Sequence, residues 1–127
     1  MTALEPVEAE QLYTDAAVGE RTALSASSCP TCSRVSFPRR TSCPACGAPS
    51  TPLDLRGPAR LRVLTAVLAP PPGSLVAAPY DVGVAEFSEG ICVIGLVDGP
   101  SEVGDPVVPV VHEPYEGGRI FAFRRAD

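Results

Sequence analysis

Two Cys-x-x-Cys pairs constrain this chain more strongly than any other feature of its sequence. The pairs are Cys29-Pro-Thr-Cys32 and Cys43-Pro-Ala-Cys46, with ten residues between them. Each pair can present two sulfurs on one tight turn, and two such turns facing each other form a tetrahedral site suited to zinc. Because four thiolates leave no position for water, the spacing predicts a structural Zn²⁺ ion. A redox dithiol, a disulfide pair and an iron–sulfur centre are the alternatives that the spacing leaves open.

The residues around the cysteines support a module held by metal. Residues 25–52 are crowded with Ser, Thr, Pro and Cys and contain few aliphatic side chains, so burial alone is not expected to hold them. Gly47 follows the second pair, where a glycine avoids backbone strain, whereas Ser33 stands at the same place after the first pair. We expect zinc binding to tolerate that serine. With 127 residues, 15 Pro and 11 Gly, the whole chain has room for one modest domain or for a small domain with an appended module, rich in turns.

A different pattern begins after Gly57. Residues 60–69 alternate with the period of a strand. Four more strand-like runs follow, over residues 81–88, 91–98, 107–113 and 119–124, and Glu89-Gly90 is expected to form a short hairpin turn between the first two of these. Pro109 lies within one run, so that strand is expected to be an edge strand or to carry a bulge. Five short strands predict an OB-fold barrel, although an SH3-like barrel or a small sandwich would produce much the same pattern.

The N-terminal residues predict a short helix. Residues 6–18 lack glycine and carry apolar residues at near-helical spacing, with Pro6 suited to a first turn and Gly19 suited to closing the last. The expected fold class is therefore mainly β, with a short N-terminal helix, a four-Cys zinc ribbon and a five-stranded OB-fold barrel. The corresponding segments are residues 1–24 for the helical segment, 25–53 for the zinc ribbon and 54–127 for the OB-fold domain.

The charges are distributed unevenly along the chain. The sequence contains 15 acidic and 10 basic residues, a formal net charge of −5, and every basic residue is an arginine. Seven arginines fall between residues 21 and 62, where Asp54 is the only acid. This basic stretch could meet phosphates, but the acidic chain as a whole would be repelled by a bare nucleic-acid backbone. No stretch approaches the roughly 18 apolar residues of a membrane span, and the first residues lack a secretory signal, so we expect no membrane partner and a cytoplasmic location.

Two further residues, Cys92 and His112, have side chains capable of chemistry. Cys92 lies in the apolar run Ile91-Cys92-Val93-Ile94, which indicates an inert core thiol, since a reactive thiolate needs a cationic neighbour. His112 is the only histidine and is expected to be a solvated or barrel-edge side chain, because no Ser or Cys partner can be argued for it. We therefore expect no catalytic residues in this chain.

Several short motifs, taken in their order and spacing, resemble the DUF35 family. Besides the cysteine pairs they are Phe37-Pro38-Arg39, Gly57, Thr65, Pro79-Tyr80, Glu89-Gly90, Val103-Gly104-Asp105-Pro106-Val107 and Phe123-Arg124. The likeness runs from about Leu12 to Ala126. Two residues depart from the pattern without touching a thiolate, namely Ser33 in place of the first knuckle glycine and Ala59 where the family often repeats a glycine.

The resemblance implies an N-terminal helix, a rubredoxin-like zinc ribbon and an OB-fold. It also implies a non-catalytic accessory subunit of a thiolase-superfamily complex, containing a thiolase or a thiolase-like aldolase that acts on acyl-CoA. Such a subunit would stabilise its partner and shape or contact the CoA and acyl channel, with a coenzyme A thioester as a shared ligand and a heterotetramer as the assembly. The candidates for CoA phosphates, which guanidinium groups grip bidentately, are Arg34, Arg39, Arg40, Arg60 and Arg62. The candidate interface residues are Phe37 and Tyr80.

Other interpretations of the same residues stay open. The arginines could instead pair with acids of the partner or of residues 5–20, and Phe37 could be buried. Zinc ribbons and OB-folds also bind nucleic acid, usually with basic grooves and stacking aromatics, so a single-stranded nucleic-acid-binding protein is the alternative function. The net acidic charge and the low number of aromatics, four Phe and three Tyr, argue against it. A stand-alone enzyme or redox protein that uses the Cys-x-x-Cys pairs is a third class, which zinc content would discriminate.

Overall fold

The computed structural model describes residues 12–69, 72–77 and 79–126. Within them the chain forms β1 Leu24–Ser28, β2 Val35–Ser36, β3 Thr51–Leu55, β4 Ala59–Val67, β5 Tyr80–Phe87, β6 Ile91–Val97, β7 Pro106–Tyr115 and β8 Gly118–Arg125. The first three strands make a sheet in the order β2-β1-β3, and the other five close into a barrel in the order β4-β5-β6-β8-β7. The fold is therefore mainly β, as predicted. None of the described segments contains a helix long and apolar enough to cross a membrane.

The barrel confirms the five strands that the period-two pattern predicted. Alternate positions turn Leu61, Phe87 and Phe123 into the barrel, where each is at most 1% exposed. The predicted hairpin turn joins β5 to β6, and Gly90 at its tip has a φ of 91°, which favours glycine. β6 pairs with β8 in parallel, whereas the other barrel pairs are antiparallel. This Greek-key connectivity is that of an OB-fold.

Pro109 neither lies on an edge strand nor sits at a bulge. β7 pairs with β8 along one side and with β4 and the segment around Arg21 along the other. Its register shift falls later, between His112 and Tyr115. The carbonyl of Pro109 accepts a hydrogen bond from the N–H of Thr22 at 2.9 Å. Because both backbone groups of a strand residue point to the same edge, the missing N–H of the proline costs the β7–β8 ladder nothing.

The predicted N-terminal helix is wrong for residues 12–18, which are not helical; residues 6–11 lie outside the described residues. Tyr13 instead forms a bridge with Leu24 of β1, and Gly19 donates its N–H to the carbonyl of Val111 in β7 at 2.8 Å. The segment thus uses its backbone groups to pair with both the three-stranded sheet and the barrel. Tertiary pairing outweighs the weak local preference for a helix here.

One hydrophobic core joins the three-stranded sheet to the barrel. Leu24, Ala26 and Leu55 are 0% exposed and belong to the same buried cluster as Leu61 and Phe123 of the barrel. Full burial of a leucine stabilises a fold by about 1.5–3 kcal/mol. The cysteine-bearing module is therefore held by burial against the barrel as well as by its thiolates, which its own sparse aliphatic content did not indicate.

Gly95 allows two phenylalanine rings to pack against the inner side of β6. A Cβ atom at this position would lie 2.8 Å from Cε2 of Phe121 and 2.9 Å from Cε2 of Phe123. The two rings meet edge to face with centroids 5.7 Å apart. Since Phe123 is completely buried, a side chain at residue 95 would displace rings at the centre of the barrel.

We expect Gly95→Ala to lower the free energy of unfolding by about 1–3 kcal/mol, because the added methyl group overpacks a filled core. Chemical denaturation of the zinc-loaded protein measures this change. Cys92→Ala, on the exposed side of the same strand, is the control and should change the stability by no more than about 0.5 kcal/mol. An unaltered unfolding midpoint in Gly95→Ala would show that the rings can move aside, contrary to this account.

Candidate metal centre and the adjoining groove

The four cysteines of the two pairs converge on one point. Their sulfur atoms all lie within 4.8 Å of one another, and the Cys29–Cys46 and Cys32–Cys43 sulfur distances are both 3.6 Å. A tetrahedral zinc ion with Zn–S bonds of about 2.3 Å requires sulfurs about 3.8 Å apart. The donor set and its spacing therefore fit a four-thiolate zinc ion, whose role at such a site is structural.

Two equivalent turns carry the sulfurs. In each turn the N–H of the first cysteine donates to the carbonyl five residues later, and the residue four positions later donates back to the carbonyl of that cysteine. These bonds are Cys29 to Arg34 at 2.9 Å, Ser33 to Cys29 at 2.8 Å, Cys43 to Ala48 at 2.8 Å and Gly47 to Cys43 at 2.9 Å. The matching bond patterns present the two pairs in the same way, as a zinc ribbon requires.

Backbone amides favour the thiolate form of the first cysteine in each turn. The N–H of Cys32 lies 3.4 Å from the Cys29 sulfur and, as the largest cause, lowers the pKa of Cys29 to about 6. In the other turn the N–H groups of Cys46 and then Ala45 lower the pKa of Cys43. This hydrogen bonding prepares the buried sulfur of each pair to bind a cation.

The second cysteine of each pair behaves in the opposite way. The backbone N–H of Arg34 acts to lower the pKa of Cys32, but the neighbouring Cys43 and Cys29 sulfurs outweigh it and raise that pKa to about 11. The backbone N–H of Ala48 likewise acts to lower the pKa of Cys46, but the Cys29 sulfur, burial and the Cys43 sulfur outweigh it and raise that pKa. Four negative sulfurs so close together repel one another, so full deprotonation calls for a bound cation such as Zn²⁺.

Three of the five candidate arginines have partners within the protein. Arg39 donates to the carbonyl of Ala26 at 2.8 Å and to Asp54 at 2.7 Å, which ties β1 to β3. The other two donate to acceptors of the barrel, Arg60 to the Gly104 carbonyl at 2.7 Å and Arg62 to the Glu86 carboxylate at 2.6 Å. The guanidinium groups of these three arginines therefore bind acceptors of the same chain.

The other two candidates, Arg34 and Arg40, line one groove. It has a volume of about 600 Å³ and lies between residues 33–44 of the ribbon and the β5–β6 turn of the barrel. Both arginines are exposed, and their guanidinium groups have no hydrogen-bond or ion-pair partner among the described residues. Glu89 also lines the groove. Of the five predicted basic side chains, these two line the same groove.

The prediction that Cys92 is a core thiol is wrong, because its side chain is exposed and lines this groove. Cys92 pairs with Glu86 on the outer side of the barrel, while its neighbour Val93 points inward and is 4% exposed. The alternation within β6 carried this signal, since only every second residue of a strand can face the core. The apolar neighbours of Cys92 in the sequence do not show on which side of the strand its own side chain lies.

The candidate interface residues occupy different places. Phe37 is half-buried, lines the groove and packs edge to face against Phe121, with ring centroids 5.8 Å apart. Its ring therefore joins the ribbon to the barrel core. Tyr80 is half-buried at the start of β5, opposite Val67. Both side chains remain partly exposed.

His112 is partly buried rather than fully solvated. Its Nδ1 lies 3.9 Å from Oδ2 of Asp98, which also accepts a hydrogen bond from Arg124 at 2.9 Å. No hydrogen bond joins His112 to a serine hydroxyl or a cysteine thiol in the parts of the chain that the structure covers. The arrangement holds the end of β6 against β7 and β8 and does not form a nucleophile–base pair.

Comparison with known proteins agrees with this architecture. Residues 19–51 match the family model of the ChsH2 rubredoxin-like zinc ribbon domain. A solved chain described as Ltp2-ChsH2(DUF35) aldolase is 24% identical, with a TM-score of 0.66 over 83% of this chain and 86% of that one. A DUF35 protein of unknown function from Sulfolobus solfataricus is 16% identical, with a TM-score of 0.56 over 82% of this chain and 76% of that one. No curated protein matches the chain.

The chain is a zinc-ribbon protein with an OB-fold barrel. The ribbon match and the two structural likenesses confirm the resemblance to the DUF35 family. At these identities the likeness to the solved structures shows the fold alone.

The first cysteine turn contains a residue in a strained conformation. Ser33 has a φ of 68°, in the left-handed region, whereas the equivalent residue of the second turn is Gly47 with a φ of 77°. A Cβ atom at Gly47 would meet nothing within 4 Å, so a side chain there would add backbone strain without a clash. The two positions form a matched pair in which only the backbone preference differs.

We expect Ser33→Gly to stabilise the zinc-loaded protein by about 0.5–1 kcal/mol, because relief of left-handed strain exceeds the entropy that glycine adds to the unfolded chain. Gly47→Ser should destabilise it by a similar amount. Denaturation at fixed free zinc concentration measures both changes. Equal and same-signed effects of the two substitutions would refute the assignment of strain to Ser33.

Proposed function

We propose that this chain is a non-catalytic accessory subunit of a thiolase-superfamily complex, a thiolase or a thiolase-like aldolase, that acts on acyl-CoA. The observation that carries the proposal is the joined zinc ribbon and OB-fold barrel, which this chain shares over 83% of its length with a chain of the Ltp2-ChsH2(DUF35) aldolase. The aldolase in that description agrees with the thiolase-like aldolases that the resemblance to DUF35 implies.

The chemistry of the described residues supports an accessory role. All four cysteines of the metal centre are needed to complete a four-sulfur site, which leaves no position for a substrate. His112 contacts an aspartate instead of a nucleophile. In the proposed complex the partner supplies the nucleophile or base, and this chain supplies a rigid surface beside the substrate channel. A thiolase core is generally dimeric, so the proposed assembly is a heterotetramer of two subunits of each kind.

The groove beside the ribbon is the proposed contact with the shared coenzyme A. The guanidinium groups of Arg34 and Arg40 have no hydrogen-bond or ion-pair partner in the described chain. An arginine can hold a phosphate through two hydrogen bonds. Glu89 offsets part of this charge, so the groove suits one phosphate group better than a long polyanion. The proposed contact therefore involves one end of the CoA, with the remainder bound by the partner.

The burial of the aromatic side chains speaks against single-stranded nucleic acid as the ligand. A nucleic-acid-binding OB-fold presents aromatic rings on which bases stack. Here four of the seven aromatics are at most 6% exposed, namely Tyr13, Phe87, Phe121 and Phe123. Phe37 packs against Phe121. Too few rings are left to form a stacking platform.

Affinity purification of the tagged protein from its own cells tests the function. We expect a thiolase-family protein in stoichiometric amount and about one zinc ion per chain. Cys43→Ser should lose both, because three thiolates hold the ribbon less firmly and the ribbon positions the groove. Cys92→Ser, which removes a thiol outside the metal centre, is the matched control and should keep both.

Mass spectrometry and metal analysis of the same eluate read the outcome. Recovery of nucleic acid, or of the chain alone without zinc, would overturn the proposed function. Zinc-free Cys43→Ser protein that still binds the partner would show that the ribbon is not required for assembly.

Calorimetric titration of the purified complex with coenzyme A tests whether the groove contacts coenzyme A. We expect the double substitution Arg34→Ala/Arg40→Ala to weaken CoA binding by about tenfold or more, since two charge-assisted hydrogen-bonding groups are removed at a solvent-exposed site. Arg56→Ala is the charge-matched control, because Arg56 is exposed but lies outside the groove. Equal CoA affinity in the double variant and the control would exclude the groove while leaving the accessory role intact.

A further inference from the structure

The sequence contains a long uncharged run that the proposed function does not yet use. Residues 63–80 contain no Asp, Glu, Lys, Arg or His over 18 positions, in a chain with 25 charged residues out of 127. The run begins directly after Arg62 and ends directly before Asp81. It covers most of β4, the loop that follows and the first residue of β5.

The structure places part of this run on one outer side of the barrel. Val63 of β4 pairs with Val84 of β5, which pairs with Ile94 of β6. The next row along the same strands is formed by Thr65, Val82 and Leu96. Alternate residues such as Leu61, Ala85 and Val93 face the core, so both rows face outward. We call these six residues the uncharged face: Val63, Thr65, Val82, Val84, Ile94 and Leu96.

The large side chains in and beside this face are unusually exposed. Ile94 is 69% exposed and Val63 is 49% exposed, both on the same row. Leu68, which directly follows β4, is 76% exposed, and Leu75 in the loop beyond it is 69% exposed. Four of the seven exposed large hydrophobic side chains in the described structure therefore belong to β4–β6 or to the loop of the β4–β5 hairpin. Apolar surface concentrated in this way marks an interaction site in a water-soluble fold.

We propose that the uncharged face is the docking surface for the thiolase-like partner, which would contribute an apolar patch without charged side chains. This inference rests on the proposed function and adds to it the surface through which the two subunits meet. Tyr80 lies in the next row of the same outer side, opposite Val67, which places one of the two sequence-predicted interface residues beside the face.

Electrostatics disfavours the other occupants. The chain has a formal net charge of −5, and four thiolates with one Zn²⁺ change it by −2, to −7. A high net charge of one sign opposes association with a second copy of the same chain. It also opposes binding to an anionic membrane surface, which attracts clusters of Lys and Arg. A partner protein is the occupant that an apolar face on an acidic chain fits best.

The position of the face agrees with a role in channel formation. Ile94 lies two residues from Cys92 on the same side of β6, a distance of about 7 Å along a strand. Cys92 lines the groove that contains Arg34 and Arg40. A partner seated on the uncharged face would therefore lie next to the groove, where its own bound acyl-CoA could reach the two arginines.

Val63→Glu and Val18→Glu form a matched test. The two valines are 49% and 46% exposed, and Val18, which precedes the Gly19 that bonds to Val111 of β7, is not a residue of the uncharged face. We expect Val63→Glu to weaken binding of the purified thiolase-like subunit at least about 30-fold, because an unpaired carboxylate is buried at the interface, and Val18→Glu to leave it unchanged. Ile94→Thr keeps a β-branched residue on the strand and should weaken binding by roughly threefold to tenfold.

Surface plasmon resonance with the subunit recovered alongside the wild-type protein gives the affinities, and zinc content with thermal denaturation verifies the fold of each variant. Equal binding by folded Val63→Glu, Ile94→Thr and wild-type protein would overturn the docking surface and leave the proposed function standing. Failure of the wild-type protein to bind any thiolase-family subunit would overturn both. Light scattering could instead show that the wild-type protein is a dimer and that Val63→Glu dissociates it. This result would identify a second copy as the occupant, contrary to the proposal.

Discussion

Mutual repulsion among four sulfurs is the constraint on which the functional half of this structure depends. Thiolates within 4.8 Å of one another are tolerable only around a cation, and a cation that binds all four holds two turns against each other. Those turns carry Arg34 directly and lead into Phe37 and Arg40, so the metal centre determines where the groove lies. The packing of Phe37 on Phe121 then transmits that position to the barrel.

The groove beside the ribbon and the uncharged face of the barrel differ in their chemistry. The ribbon side contributes the guanidinium groups of Arg34 and Arg40 at a groove, whereas the uncharged face on β4–β6 contributes aliphatic side chains and a single threonine. The two surfaces meet at β6, where Cys92 faces the groove and Ile94 faces outward beyond it. An accessory subunit of this design would hold its partner through apolar contact and reserve charge for a ligand, since desolvated charge contributes little net affinity to an interface.

Much of the fold could be predicted because its signals are local. Five barrel strands follow from alternation, and the metal ligands follow from the geometry that a tight turn imposes on Cys-x-x-Cys. The failures have a common cause. Residues 12–18 have helical spacing but pair with β1 and β7, and Cys92 has apolar neighbours but lies on the outer side of its strand. Both depend on which surfaces meet across the fold, and composition does not record that.

The sequence by itself determined the four metal ligands, the order of the barrel strands along the chain, the uncharged run and the basic stretch, because each depends on residues close together in the chain. Only the tertiary structure decided how the arginines of that stretch are used. Arg39, Arg60 and Arg62 meet acceptors brought to them by strand pairing, while Arg34 and Arg40 face a groove formed between two modules. The five guanidinium groups are chemically alike, and they differ in the acceptors that lie near them. Long-range packing decides which acceptors those are, so this difference exists only in the folded molecule.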